Sequence, residues 1–124
     1  MPEARTYQLL IEVSEPARVE VGKLGCFDFP AGYYVYTGSA RKNFKARVAR
    51  HLSPEKKMRW HIDYLLAARG VRVAEVLDHF DDECEVNQRT PGQVVVDGFG
   101  SSDCRSGCKS HLKRVSSPAA AGFS

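Results

Sequence analysis

Long apolar runs, nucleotide-binding loops and internal repeats are all missing from this chain of 124 residues. A membrane-spanning helix needs about 20 consecutive apolar residues, and no segment comes near that length. No G-x-G-x-x-G follows a strand-like run and no Walker lysine is present, so phosphate binding by a glycine-rich loop is not expected. The N-terminal MPEARTYQLL lacks the layout of a signal peptide. We therefore expect one soluble, cytoplasmic domain.

Cysteine is also scarce, with four residues, and in a cytoplasmic chain thiols or metal ligands are expected before disulfides. Cys26 and Cys84 stand alone, whereas Cys104 and Cys108 lie in DCRSGCKSHL with His111 three residues further on. Zinc takes four ligands, so Cys84 would have to come in from elsewhere. A structural zinc at Cys104, Cys108 and His111 is therefore the less favoured interpretation, and thiols in a loop without a metal are the favoured one.

Charge is unevenly placed, although the net charge is only +3. Residues 41–59 carry eight Lys and Arg residues and one acidic residue, Glu55, whereas residues 75–85 carry six acidic residues and no Lys or Arg. The basic segment suits nucleic-acid phosphates, because their neutralisation releases counterions. The acidic segment suits a hard cation such as Mg²⁺. Charge placement alone favours the simpler interpretation, in which both segments are solvated helix faces.

The hydrophobic pattern predicts strands first and helices later. TYQLLIEV, ARVEVG and GYYVYTG are typical of strands, and VRVAEVL and QVVVDGF of further extended segments. Helices are predicted over NFKARVARHL, from Pro54 to Gly70, and from Asp81 or Asp82 to Asn87. This order predicts an α+β fold with a small, mostly antiparallel sheet flanked by helices. Residues 1–115 form the expected domain, and residues 116–124 a flexible tail.

Five ordered stretches of the chain resemble one known family. They are FDFPAGYYVYTGSA, RVARHL, KKMRWHIDYLL, the triplet ECE, and GFGSSDC followed by SHL. Together with Thr6-Tyr7 in the first strand, they resemble the GIY-YIG nuclease superfamily, in its branch of Uri-type endonucleases. The chain departs from the motif at Arg5, where a glycine is expected, and in having Tyr-Thr-Gly for Tyr-Ile-Gly.

The resemblance implies a role for each matching residue. Tyr7 and Tyr36 match the two motif tyrosines, of which one assists the nucleophile. Arg47 matches the helical arginine that contacts phosphate, and His51 a histidine one turn later on the same helix face.

Further residues follow from the same resemblance. Gly38 matches the glycine that lets the chain turn into the site. Glu83 matches the ligand of a single divalent ion, Mg²⁺ or Mn²⁺, with Glu85 as the fallback. His61 is expected in catalysis as a supporting group, and Asp63 with less support.

Two further sets of residues complete the expectation. The predicted nucleic-acid contacts are Gly38, Ser39, Arg41, Lys42, Lys45, Arg50, Lys56 and Lys57. The residues expected to shape the site are Ser102, Asp103 and His111. Each has a simpler interpretation, since a strand tyrosine is usually packed, a buried histidine usually hydrogen-bonded, and a charge run usually solvated.

The sequence therefore predicts a metal-dependent endonuclease acting on DNA, with structured or damaged DNA as candidate substrates and a DNA-repair protein as a candidate partner. The alternative is a nucleic-acid-binding module with the same fold and basic helix that does not cleave. A third interpretation is a protein-interaction domain whose fold is stabilised by a structural zinc ion.

Overall fold

The computed structural model describes residues 6–39, 44–52, 60–100 and 108–123. In chain order the elements are β1 (Thr6–Val13), β2 (Ala17–Val21), β3 (Gly25–Phe29), β4 (Gly32–Ser39), α1 (Phe44–Leu52), α2 (His61–Leu66), β5 (Val71–His79), α3 (Glu83–Arg89), β6 (Gln93–Val94) and β7 (Leu112–Val115). Short 3-10 helices cover Gly22–Leu24 and Ala119–Ala121. The predicted α+β class is confirmed.

The main sheet has the strand order β5-β1-β4-β7-β6, and every neighbouring pair is antiparallel. β2 and β3 form a separate antiparallel hairpin. β1 lies between β4 and β5 and is buried at nearly every position, which explains why TYQLLIEV is a continuous run of apolar and β-forming residues.

The two faces of the sheet contact different apolar groups. Leu9 and Ile11 of β1 belong to the main core, together with Phe29, Ile62 and Phe99. Leu10, which points the other way because side chains alternate along a strand, belongs to a smaller core. The main core therefore lies between the sheet, the hairpin and α2.

The smaller core involves the last residues of the chain. Phe123 is 4% exposed and packs in one cluster with Leu10, Val35 and Val115. A flexible tail was expected from residue 116, but the described residues up to 123 bury an aromatic ring on the sheet. The smaller core has few apolar residues, so the Phe123 ring is a substantial part of what covers this face of the sheet.

Most elements lie where the sequence predicts them, and the exceptions are short. β1, β2, β4, α1, β5 and α3 match their predicted segments, and Asp82 caps α3 by accepting a hydrogen bond from the backbone N–H of Cys84 at 3.2 Å. The described part of the second helix is only His61–Leu66, and QVVVDGF gives only the two residues of β6 before turns begin. β3 and β7 were not predicted. Within the described residues, no helix combines the length and the apolar character needed to cross a membrane.

Candidate active site

Tyr7, Tyr36 and His51 meet in one buried group, which we call the tyrosine–histidine cluster. They come from β1, β4 and the last turn of α1. The Tyr7 hydroxyl lies 2.5 Å from Nε2 of His51, and the three ring centroids are 5.2 to 6.4 Å apart. All three side chains are at least nine-tenths buried. Three residues that the sequence predicts for catalysis are therefore in contact.

The strand register makes room for this group. Tyr7 pairs directly with Gly38, so the tyrosine ring lies over the glycine. A Cβ added at Gly38 would lie 2.5 Å from the Tyr7 hydroxyl oxygen, which is too close for any side chain. The resemblance implies that Gly38 lets the chain turn tightly into the site. In the structure Gly38 lies within β4, and its lack of a side chain serves to admit the Tyr7 ring.

An ion pair between α1 and α2 holds the helix end that carries His51. Arg50 donates to both carboxylate oxygens of Asp63 at 2.9 Å, and the Asp63 carboxylate is fully buried. Asp63 also accepts a hydrogen bond from the backbone N–H of Trp60 at 2.9 Å. The Arg50 guanidinium lies 4.3 Å from the Trp60 ring centroid, and the His51 ring lies 5.6 Å from it.

This ion pair gives Arg50 and Asp63 a position that the sequence did not predict. Arg50 was expected to contact nucleic acid and Asp63 to support catalysis. Bidentate pairing with a buried carboxylate fixes the arginine in a defined geometry. The Arg50–Asp63 ion pair joins α1 to α2. A contact between Arg50 and DNA stays a prediction.

Glu83 lies beside the carboxyl end of β4. Its Oε2 is 3.3 Å from Nδ1 of His111, and that nitrogen is 3.2 Å from the carbonyl oxygen of Thr37, the residue after Tyr36. The Glu83 side chain is 27% exposed, so it is accessible to a ligand. Mg²⁺ favours oxygen ligands and binds through one or two carboxylates together with water and substrate phosphates. Glu83 fits that requirement, and so does the exposed Glu85 on the same helix; Glu83 as the ligand stays a prediction.

A buried polar network holds α3 against the sheet. Gln8 donates to Thr37 Oγ1 at 3.1 Å and to Thr90 Oγ1 at 2.8 Å, and its Oε1 lies 2.8 Å from Nε2 of His79. Thr90 in turn donates to the carbonyl of Val86 at 2.7 Å. Burial, and then the positive charge of Arg89, lower the pKa of His79 below its ordinary value. The network fixes the helix whose first residue is Glu83.

Comparison with known proteins gives a family. Residues 6–122 match the family described as "Domain of unknown function DUF123". The chain belongs to the DUF123 family. No curated protein matches it, and no solved structure does. The match runs from β1 to the second 3-10 helix, so the DUF123 domain includes the tyrosine–histidine cluster and Glu83.

In this DUF123 chain the Phe99 ring lies between His61 and the tyrosine–histidine cluster. Nδ1 of His61 accepts a hydrogen bond from the backbone N–H of Gly100 at 2.9 Å. The Phe99 ring is 5.7 Å from His61 and 6.4 Å from Tyr36, measured between centroids. Gly100 has a φ of +68°, and a Cβ there would come within 2.9 Å of the Tyr36 ring. His61 therefore contributes to the support of Tyr36, and its catalytic role stays a prediction.

Of the predicted residues not yet placed, Ser39 is described, and the others lie wholly or in their side chains outside the described part of the chain. Lys45 and Arg47 belong to α1, but their side chains are outside the described part of the chain. Ser39 is the last residue of β4. The following predicted residues lie outside the described residues altogether: Arg41, Lys42, Lys56, Lys57, Ser102, Asp103 and Cys104.

One group of ligand-type side chains was only partly anticipated. Ligand atoms of Cys84, Cys108 and His111 all lie within 4.8 Å of one another. The sequence grouped Cys108 and His111 with Cys104 and required Cys84 to come from elsewhere, and the fold of the DUF123 domain brings Cys84 in on α3. No local spacing signals this, because Cys84 and Cys108 are far apart in the chain.

Proposed function

We propose that this DUF123 chain is a divalent-metal-dependent endonuclease that hydrolyses phosphodiester bonds in DNA. The observation that carries the proposal is the 2.5 Å contact between the Tyr7 hydroxyl and His51 Nε2, beside Tyr36. The reaction class comes from the resemblance of these residues to the GIY-YIG motif. The geometry supports a proton-transfer role for the tyrosine–histidine cluster.

Proton transfer is the part that the tyrosine–histidine cluster can supply. A free phenol has a pKa of about 10 and is a weak base at neutral pH until its own proton has a destination. His51 Nε2 is within hydrogen-bonding distance of the Tyr7 hydroxyl and is a suitable acceptor. Tyr7, once its proton moves toward His51, accepts a proton from the attacking water. Tyr36 is the other candidate for that contact.

Charge stabilisation would come from α1 and α3. Arg47 precedes His51 by four residues on α1, so both lie on one helix face. A guanidinium matches the geometry of a phosphate and binds it through two parallel hydrogen bonds. Glu83 would hold Mg²⁺ or Mn²⁺, and the ion, when bound, would polarise the scissile phosphate. The basic residues between 41 and 59 would bind the remaining phosphates.

One observation favours the second candidate, a binding module that does not cleave. Tyr7 is 2% exposed and His51 3% exposed, and groups so deeply buried are also explained as packing with an internal hydrogen bond. In that case the basic segment would bind nucleic acid without any reaction at Tyr7.

Cleavage of labelled DNAs decides between the two candidates. The substrates are single-stranded, duplex, flap and branched forms, each with Mg²⁺, Mn²⁺ or EDTA. Wild type is compared with Arg47→Ala and Glu83→Ala. Glu85→Ala is the matched control, since Glu85 is an exposed acidic residue on the same helix.

The nuclease predicts cleavage that requires a metal, falls at least about 100-fold in Glu83→Ala and Arg47→Ala, and is retained in Glu85→Ala. Binding that persists in EDTA, with no cleavage under any metal, would establish the binding module instead. Salt dependence does not separate the two, because both bind phosphates.

A further inference from the structure

Cys84, Cys108 and His111 form a second group, which we call the cysteine–histidine cluster. Cys84 lies in the first turn of α3, and Cys108 and His111 lie on the segment that leads into β7. Cys84 is 9% exposed and His111 1% exposed. Residues distant in sequence therefore present two sulfurs and one imidazole to the same small volume.

The spacing of the ligand atoms matches one tetrahedral ion. Zinc binds cysteine sulfur at about 2.3 Å and histidine nitrogen at about 2.0 Å, which places ligand atoms about 3.4 to 3.8 Å apart. Here all three lie within 4.8 Å of one another, so small side-chain rotations bring them to that separation. Thiolate and imidazole together select zinc over Mg²⁺ or Ca²⁺, which favour oxygen.

The surroundings of His111 are those of a metal-binding histidine. Its Nδ1 lies 3.2 Å from the Thr37 carbonyl oxygen, which only accepts, so Nδ1 carries a proton. The Glu83 carboxylate is 3.3 Å from the same nitrogen. A ligating histidine usually donates its second ring N–H to a carbonyl or carboxylate in this way, which directs the lone pair of the other nitrogen to the ion.

The sulfur of Cys108 also has a donor beside it. The side-chain amide of Gln88, on α3, lies 3.6 Å from Sγ of Cys108 and donates to it. A ligating side chain usually has a hydrogen-bonding partner of this kind, which fixes its orientation toward the ion. α3 therefore contributes the ligand Cys84 and supporting contacts from Gln88 and Glu83, whereas the segment before β7 contributes the ligands Cys108 and His111.

We propose that Cys84, Cys108 and His111 bind one Zn²⁺, as a site separate from the Mg²⁺ or Mn²⁺ ligand Glu83. Zinc takes four ligands, and these residues supply three. The ion would tie α3 to the segment before β7 and fix His111 next to Glu83. This inference does not rest on the nuclease proposal, because zinc binding requires no DNA and no cleavage.

The test is the zinc content of the full-length chain, expressed with Zn²⁺ and purified under reducing conditions. Wild type is compared with Cys84→Ser and Cys108→Ser, and with Cys26→Ser as the matched control, since Cys26 is an exposed thiol on the β2–β3 hairpin. We expect about one zinc per chain in wild type and Cys26→Ser, and its loss in the other two. Glu83→Gln should bind Zn²⁺ about 10-fold more weakly.

Replacement of Zn²⁺ by Co²⁺ in wild type keeps the proposal testable if a serine variant does not fold. Thiolate coordination gives a sulfur-to-cobalt charge-transfer band, which should appear with one equivalent of Co²⁺ and disappear when excess Zn²⁺ is added. Zinc-free wild type with no such band would overturn the proposal. Folded serine variants that keep full zinc would overturn it too, and so would a disulfide between Cys84 and Cys108 that persists after purification under reducing conditions.

Discussion

The tyrosine–histidine cluster and the cysteine–histidine cluster each contain one buried histidine, but their members stand in different relations. Tyr7, Tyr36 and His51 touch directly, with a hydrogen bond and ring contacts that fill the space between them. The ligand atoms of Cys84, Cys108 and His111 come within 4.8 Å of one another, a spacing that one ion would close. Protein contacts alone join the first group, whereas the proposed zinc ion would join the second.

Because of this difference, we expect changes in the two clusters to affect different properties, the reaction in one case and the stability of the fold in the other. The tyrosine–histidine cluster has its hydroxyl and imidazole in a proton-transfer arrangement, so small changes there should alter a reaction while the fold is kept. The cysteine–histidine cluster joins a helix to a distant segment, so changes there should alter how firmly α3 is held. Variants in and around the tyrosine–histidine cluster test the first of these effects, and the loss of zinc in Cys84→Ser and Cys108→Ser tests the second.

The largest effect is expected from Tyr7→Phe, which removes one oxygen and keeps the ring. Loss of the hydroxyl breaks the contact with His51 and should lower the cleavage rate about 10²- to 10⁴-fold, the range for a positioned acid–base group. Single-turnover cleavage measures the rate, and thermal unfolding checks that the fold persists. A variant that cleaves as fast as wild type would place the base elsewhere, with Tyr36→Phe as the next comparison.

Arg50→Ala should cause the largest loss of stability near the tyrosine–histidine cluster. It leaves the fully buried Asp63 carboxylate without its guanidinium, which costs about 3–5 kcal/mol in unfolding free energy. Arg72→Ala is the matched control, since its ion pair with Glu12 is exposed and contributes about 0–1 kcal/mol. Urea denaturation of both variants gives the comparison. Equal losses in the two would show that the Arg50 pair does not hold α1 to α2.

Gly38→Ala tests the close approach within the tyrosine–histidine cluster. The added Cβ would lie 2.5 Å from the Tyr7 hydroxyl oxygen, so the ring must move, at a cost of about 1–3 kcal/mol for overpacking. In the double variant Gly38→Ala/Tyr7→Ala the clash is absent, and the loss of unfolding free energy should be smaller than the sum of the single losses. Additive losses would mean that the glycine serves the backbone and not the ring.

The smallest effect concerns pH and lies outside both clusters. The pKa of His79 is lowered from 6.5 by burial and by Arg89, while Asp81 and Asp78 act in the opposite direction. Below pH 6.5 the folded state therefore binds fewer protons at His79 than the unfolded state does. The unfolding free energy should fall as the pH drops through 6.5 and level off below the folded pKa. His79→Gln should reduce this slope in urea titrations at several pH values, and an unchanged slope would assign it to other groups.

Local patterns predict the elements better than they predict the contacts. The runs of β1 and β4 and the spacing of α1 identify those elements because burial imposes periods of two and of about 3.6 residues. The pairing of Tyr7 with Gly38 depends on register, which no single segment contains. The same holds for Cys84, which reaches Cys108 and His111 only when α3 packs near β7. β7 itself was missed because LKRV has two charged residues in its four positions.

The most direct test of the nuclease is whether the purified wild-type chain cuts DNA. Labelled substrates are incubated with the protein in Mg²⁺ and in EDTA, and bound and cleaved DNA are measured in the same samples. We expect cleavage products in Mg²⁺ and intact DNA in EDTA. DNA that is bound but intact with Mg²⁺ and with Mn²⁺, on every substrate form, would contradict the nuclease proposal.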